Sequence, residues 1–113
     1  MVTHPAYKVA AAHVAPIFLN LRATIDKTCS LIREAAQHGA QLIVFPETYI
    51  PAFPMWCALR APIYNHDLFR RLAASTIQIQ GPELAKIAET AQTCGVFVSL
   101  GFNEGTNASI GCI

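Results

Sequence analysis

Charge is scarce in this sequence. Only 13% of the residues are Asp, Glu, Lys or Arg, the net charge is +1 with the histidines neutral, and the basic residues are scattered rather than gathered into a run. Nucleic acid is therefore not an expected partner, because a phosphate backbone is held by clustered Lys and Arg. A membrane-length apolar run is missing too: the longest stretch, Val9 to Leu19, is broken by His13 and Pro16 and falls short of the roughly 20 residues that cross a bilayer. His13 also interrupts what would have to be the unbroken apolar region of a signal peptide. No Cys-x-x-Cys occurs; Cys29, Cys57, Cys94 and Cys112 lie far apart, two of them inside helical patterns, which is the usage of a reduced, cytoplasmic chain. No Gly-x-Gly-x-x-Gly follows the first strand pattern, where Ala15-Pro16 stands instead, and this argues against a nucleotide-binding domain. His4, His13, His38 and His66 share no ligand spacing, so no metal or other cofactor is expected and His13 reads as a hydrogen-bonded core residue.

What is present is apolar residue in quantity. With 53% hydrophobic residues in 113, the chain can build a core of one domain. Lys8 to Val14, Leu42 to Phe45 and Val96 to Leu100 are apolar on both faces or rich in β-branched and aromatic residues, as buried parallel strands are. Between the first two, Leu21, Ile25, Cys29, Ile32 and Ala36 recur at helical spacing, with Asn20 to cap the start and Gly39 the end. After Phe45 come Pro46, Pro51, Pro54 and Pro62 among Tyr49, Phe53, Met55 and Trp56, a loop so apolar that it has to pack onto something. A helix is predicted from about Asn65 to Ile77 with Leu68, Phe69, Leu72 and Ala73 inward. Gly81-Pro82 starts another, with Leu84, Ile87, Ala88 and Ala91 inward and Gly95 closing it. A last strand is expected over Ala108 to Ile113. The order predicts an α/β layer structure of about four strands, cut short within the fourth, and hence part of a longer protein.

Glu47, in Phe45-Pro46-Glu47, is the residue with most chemical promise. Ligand-binding groups in open α/β sheets gather at the carboxyl ends of strands, and Glu47 stands two residues past one. A carboxylate held between Pro46 and an aromatic loop is expected to be largely buried, which would raise its pKa toward the range of a general base. The plainer alternative is a turn cap or a surface ion pair.

Three stretches carry a resemblance. Lys8 to Pro16 looks like the first strand of the nitrilase superfamily of carbon-nitrogen hydrolases. Gly39 to Pro54, Gly-Ala-Gln-Leu-Ile-Val-Phe-Pro-Glu-Thr-Tyr-Ile-Pro-Ala-Phe-Pro, is similar to the family's glutamate-bearing strand and loop, and Gly101-Phe102-Asn103-Glu104 resembles a further family segment. The resemblance implies that residues 1–113 are the N-terminal part of one such domain, built as an α-β-β-α sandwich. It implies a Glu, Lys and Cys acting together: the thiolate attacks a nitrile or amide carbon, the Glu moves protons and the Lys stabilises developing charge. Glu47 matches the family's glutamate, while the matching lysine and cysteine fall beyond Ile113. His13 and Ala52 depart from the family, where Gln and Gly are frequent.

Tyr49, Phe53 and Trp56 are candidates to line a pocket for a small nitrile or amide, or else pack the loop or meet another subunit. Glu104 either is structural or borders that pocket. Cys57 alone among the cysteines lies in the loop after Glu47, but a structural thiol is its default reading. The implied activity is conversion of a nitrile to a carboxylic acid and ammonia, with a homo-oligomer as the full-length form. The competing reading is a catalytically inactive half-domain that acts only by associating with another chain.

Overall fold

The computed structural model describes residues 1–106; the strand expected over 108–113, with Cys112, lies outside them. A strand β1 (Val9–Ala11) leads to the long helix α1 (Leu21–Gln37) and back to strand β2 (Leu42–Val44). Then come a short helix α2 (Trp56–Leu59), a 3-10 turn (Pro62–Tyr64), helices α3 (His66–Ala74) and α4 (Pro82–Cys94), and strand β3 (Phe97–Ser99). The three strands form one parallel sheet in the order β1-β2-β3, with Val9, Leu42 and Phe97 in register. The α/β class and the strand–helix–strand opening are thus as the sequence predicts, and the strands are shorter only because their outer residues leave the regular ladder. Flanking bonds prolong the pairing, such as Ala12 N–H to the Val44 carbonyl (2.8 Å) and Phe97 N–H to the Gln41 carbonyl (2.9 Å).

α1 forms where its apolar stripe can be buried. Ile25, Cys29, Ile32 and Ala35 face the core, and Asn20 accepts the Ala23 amide (3.1 Å) to satisfy a first-turn donor. Thr24 and Thr28 also lie on the buried face. Their hydroxyls are satisfied locally, Thr28 donating to the Thr24 carbonyl (2.7 Å) and Thr24 to the Ile17 carbonyl (3.0 Å). Gly39, at φ +83°, supplies the left-handed turn out of the helix. α4 starts at Gly81-Pro82 and stops at Gly95 (φ +66°), as expected. Its inner stripe differs by one step: Thr90 is buried and Ala88 exposed, because α4 meets α1 along Leu84, Ile87 and Thr90. An exposed Lys86–Asp26 ion pair spans the two helices and adds little, as exposed pairs do.

Both long helices lie on one face of the sheet, over Ala10, Ile43 and Val98. The other face presents Val9, Ala11, Val44, Phe97 and Ser99 to solvent, with Phe97 80% exposed. His13 continues the exposed parity of Val9 and Ala11, so it is a surface residue and not the core histidine the sequence suggested. A second, smaller cluster of Leu19, Ala52, Trp56 and Leu72 joins the proline loop to α3. Phe69, expected inward, lies at the rim of that cluster, edge-on to Trp56 at 5.5 Å but still 41% exposed. No helix among the described residues is long and apolar enough to cross a membrane.

Candidate active site

β2 is the middle strand, and past its carboxyl end the chain does something a regular ladder does not. Phe45 N–H donates to the Ser99 carbonyl (2.9 Å), and the next bond to this neighbour is Ile50 N–H to the Gly101 carbonyl (3.2 Å). Two residues on the β3 side therefore match five on the β2 side, and residues 46–49 are pushed out of the sheet as a bulge-like excursion. It is anchored at its base. Phe45 and Tyr49 are both buried and their rings pack against each other, while Ile50 and Ala52 sit in the interior just beyond. The apolar loop does pack onto the fold, as its composition requires.

Glu47 stands on this excursion, at the strand end where the sequence places it, but it is exposed and not largely buried. The reason is local. Phe45 and Tyr49 take the inward positions, which leaves Pro46 and Glu47 outward, and no described segment covers them. Among the described residues the carboxylate has neither a hydrogen-bond nor an ion-pair partner. The turn-cap and surface-ion-pair alternatives therefore find no support.

The next residue is strained. Thr48 has φ +45°, a left-handed conformation uncommon for a β-branched side chain, and its buried hydroxyl has no hydrogen-bond partner among the described residues. Such strain costs on the order of 1–3 kcal/mol and persists only where surrounding structure enforces it, as it often does at functional sites. Here the enforcement comes from the bonds and rings at the two feet of the excursion.

The three candidate pocket aromatics are not brought together. Tyr49 is 1% exposed in the main core and Trp56 4% exposed in the second cluster, so only Phe53, 52% exposed, offers a ring to solvent. Burial pushes the Tyr49 phenol above its ordinary value, a weaker influence of Thr28 opposing it. Glu104 is half-buried, and its backbone forms an isolated parallel bridge with Ile77.

Other groups that a Glu-Lys-Cys chemistry needs are engaged elsewhere. Lys8 donates to the His38 carbonyl and Lys27 to the Ala15 carbonyl (both 2.6 Å), and Lys86 pairs with Asp26. Cys29 is in the core, Cys94 at the end of α4, and Cys57 is exposed on α2, which belongs to the second cluster. Among the described residues no group of three or more His, Cys, Asp or Glu is placed to hold a metal ion. Sequence reasoning missed Gly101, which lies under the excursion; its signal was a glycine immediately after a strand, which marks a close backbone approach.

A parallel α/β sheet with a glutamate set out from the end of its middle strand fits the class that the sequence comparison defines. Residues 8–112 match the carbon-nitrogen hydrolase family, and the chain belongs to it. Its similar relatives include an arylacetonitrilase of Hypocrea virens and a nitrilase of Pseudomonas syringae pv. syringae, each 41% identical over 91% of this chain, and a nitrilase of Bacillus sp. strain OxB-1, 36% identical over 97%. The chain spans only 31 to 32% of the length of those three proteins.

Proposed function

We propose that this chain supplies the general base, Glu47, of a nitrilase that converts a nitrile to a carboxylic acid and ammonia. The observation that carries the reading is a carboxylate with no partner among the described residues, set out from the end of the central strand on a strained, firmly anchored turn. A base must be free to take up a proton and carried on a defined backbone, and the anchored turn that bears the unengaged Glu47 carboxylate supports that role.

The chemistry divides as follows. Glu47 takes the proton of a cysteine thiol, and the thiolate adds to the nitrile carbon while the proton passes to the nitrile nitrogen, giving a covalent thioimidate. One water then releases ammonia and leaves a thioester; a second water releases the acid and restores the thiol. The cysteine, and the lysine that stabilises the developing negative charge, would come from sequence beyond Ile113. No cofactor enters this scheme. The relatives' names make an arylacetonitrile the first substrate to assay, with Phe53 the one exposed aromatic of the loop that can meet it.

The bare sheet face supports the sandwich architecture. Parallel sheets are covered on both faces in nearly all folds, and a second sheet laid on Val9, Val44 and Phe97 would complete α-β-β-α layering. That sheet would also bury His13, which shares the exposed parity of Val9 and Ala11.

The test uses the complete hydrolase carrying this segment. Glu47→Gln preserves size but cannot accept the thiol proton, so kcat/KM on phenylacetonitrile should fall by about 10² to 10⁴-fold with circular dichroism unchanged. A folded variant with near-parental activity removes Glu47 from the mechanism. The 113-residue chain alone should show no nitrile or amide hydrolysis, and turnover that vanishes in Cys57→Ala would identify a different nucleophile.

A further inference from the structure

The excursion that bears Glu47 has a floor, and the floor is Gly101. A Cβ built on Gly101 would lie 2.8 Å from the Thr48 nitrogen and 2.9 Å from the Glu47 Cα, and closer still to the Pro46 carbonyl oxygen. Contacts under about 3 Å to backbone cannot be relieved by turning a side chain. Gly101 does not have a positive φ, so the glycine is there for space. Only a residue without a side chain lets the continuation of β3 lie flush against the 46–48 backbone.

Two residues on, Asn103 fixes the far foot. Its backbone N–H donates to the Ile50 carbonyl (2.8 Å), its carbonyl accepts from Ile77 (3.0 Å), and its buried side-chain amide donates to the Ala52 carbonyl (3.3 Å). Ser99, Gly101 and Asn103 thus meet the chain entering the excursion, its middle and the chain leaving it.

We infer that the Gly101–Asn103 segment is a brace that positions the Glu47 carboxylate, Gly101 through its missing side chain and Asn103 through its bonds beyond Ile50. This rests on the reading of Glu47 as the base. A methyl at Gly101 has to lift the Pro46–Thr48 backbone, and a displacement of about 1 Å at a reacting group can cost roughly 10²-fold in rate. Gly101 has no side chain and the Asn103 side chain is buried on the Ala52 carbonyl, so both act through the Glu47 backbone as positioning residues.

The experiment compares the complete hydrolase with its Gly101→Ala, Glu47→Gln and doubly substituted variants, reading kcat and KM on phenylacetonitrile and folding by circular dichroism. Gly101→Ala should lower kcat by about 10²-fold while KM moves by less than about threefold, because substrate binding is left in place. The double variant should be no slower than Glu47→Gln alone, since a displaced carboxylate and an absent one fail at the same step. A folded Gly101→Ala enzyme within about twofold of parental kcat, or losses that multiply in the double variant, would overturn the inference. If Gly101→Ala does not fold, Asn103→Ala reads the same brace without adding an atom: kcat should fall by about tenfold, again without further loss on top of Glu47→Gln, and an unchanged kcat would overturn it. A Glu47→Gln enzyme that keeps its activity is a separate outcome, and it defeats the reading of the base itself.

Discussion

The rings of Phe45 and Tyr49 pack 5.1 Å apart and 31° from parallel, two residues to either side of Glu47, so a single buried aromatic pair closes the base of the turn that presents the carboxylate. The pairing has a cost. Tyr49 carries its hydroxyl into the interior with the ring, and among the described residues that buried hydroxyl has no hydrogen-bond partner. Thr28, whose hydroxyl donates to the Thr24 carbonyl, acts on the phenol only weakly beside the effect of burial.

Tyr49→Phe should therefore stabilise the chain. Removing a buried, unpartnered hydroxyl while keeping the ring is worth about 1 kcal/mol, which raises Tm by roughly 4 °C. Urea unfolding measures it, and a loss of stability would mean that the hydroxyl has a partner after all.

The same phenol predicts an alkaline limit. Its folded pKa lies above the ordinary value of 10.0, so the folded state keeps the proton where the unfolded chain gives it up. The contribution is fully present below the unfolded value and is lost as pH rises through the raised folded one. Urea midpoints taken from neutral pH upward should fall above about pH 10 in the parent and fall less in Tyr49→Phe.

Thr48 offers a trade between stability and activity. Glycine at this position removes a left-handed penalty of about 1–2 kcal/mol and an unpartnered hydroxyl, against roughly 0.5–1 kcal/mol of added freedom in the unfolded chain. Thr48→Gly should leave the chain more stable by about 1 kcal/mol while loosening the turn. The matching expectation for the complete hydrolase is a lower kcat, measured beside the thermal midpoint.

The bare sheet face can be tested with a charge. In the 113-residue chain Phe97→Asp should change the unfolding free energy, read from urea unfolding, by no more than about 1 kcal/mol, because Phe97 is 80% exposed. In the complete hydrolase the same substitution should cost about 3 kcal/mol or more, because a second sheet would strand the carboxylate in its interface. Equal small effects in both would remove the sandwich reading.

Much of the fold was legible because the deciding signals were local. Asn20, Gly39, Gly81-Pro82 and Gly95 marked helix ends by their own chemistry, and Ile25, Cys29 and Ile32 marked a face by spacing alone. Signals that depend on a distant partner misled. Phe69 was expected inward from its hydrophobicity, but its place depends on where Trp56 sits. His13 and Glu47 were expected to be buried from apolar neighbours in sequence, whereas their exposure follows from which sheet face and which side of a turn they occupy. Gly101 was visible only as part of a resemblance, since the contact that makes it necessary joins residues far apart along the chain.

The parallel register imposes an order of events as the chain is made. Val9 meets Leu42 across α1 alone, whereas Phe97 reaches Leu42 only after α2, α3 and α4. At roughly 5–20 residues per second, translation leaves the far edge of β2 without its neighbour for on the order of seconds. Through that interval Leu42 to Val44 is an apolar strand with one open side, able to recruit whatever extended segment a neighbouring nascent chain presents. Pausing by the ribosome before α4 emerges would lengthen the interval. Protection of the strand edges therefore comes in sequence as the chain leaves the ribosome: the β1–β2 edge can close first and the β2–β3 edge last.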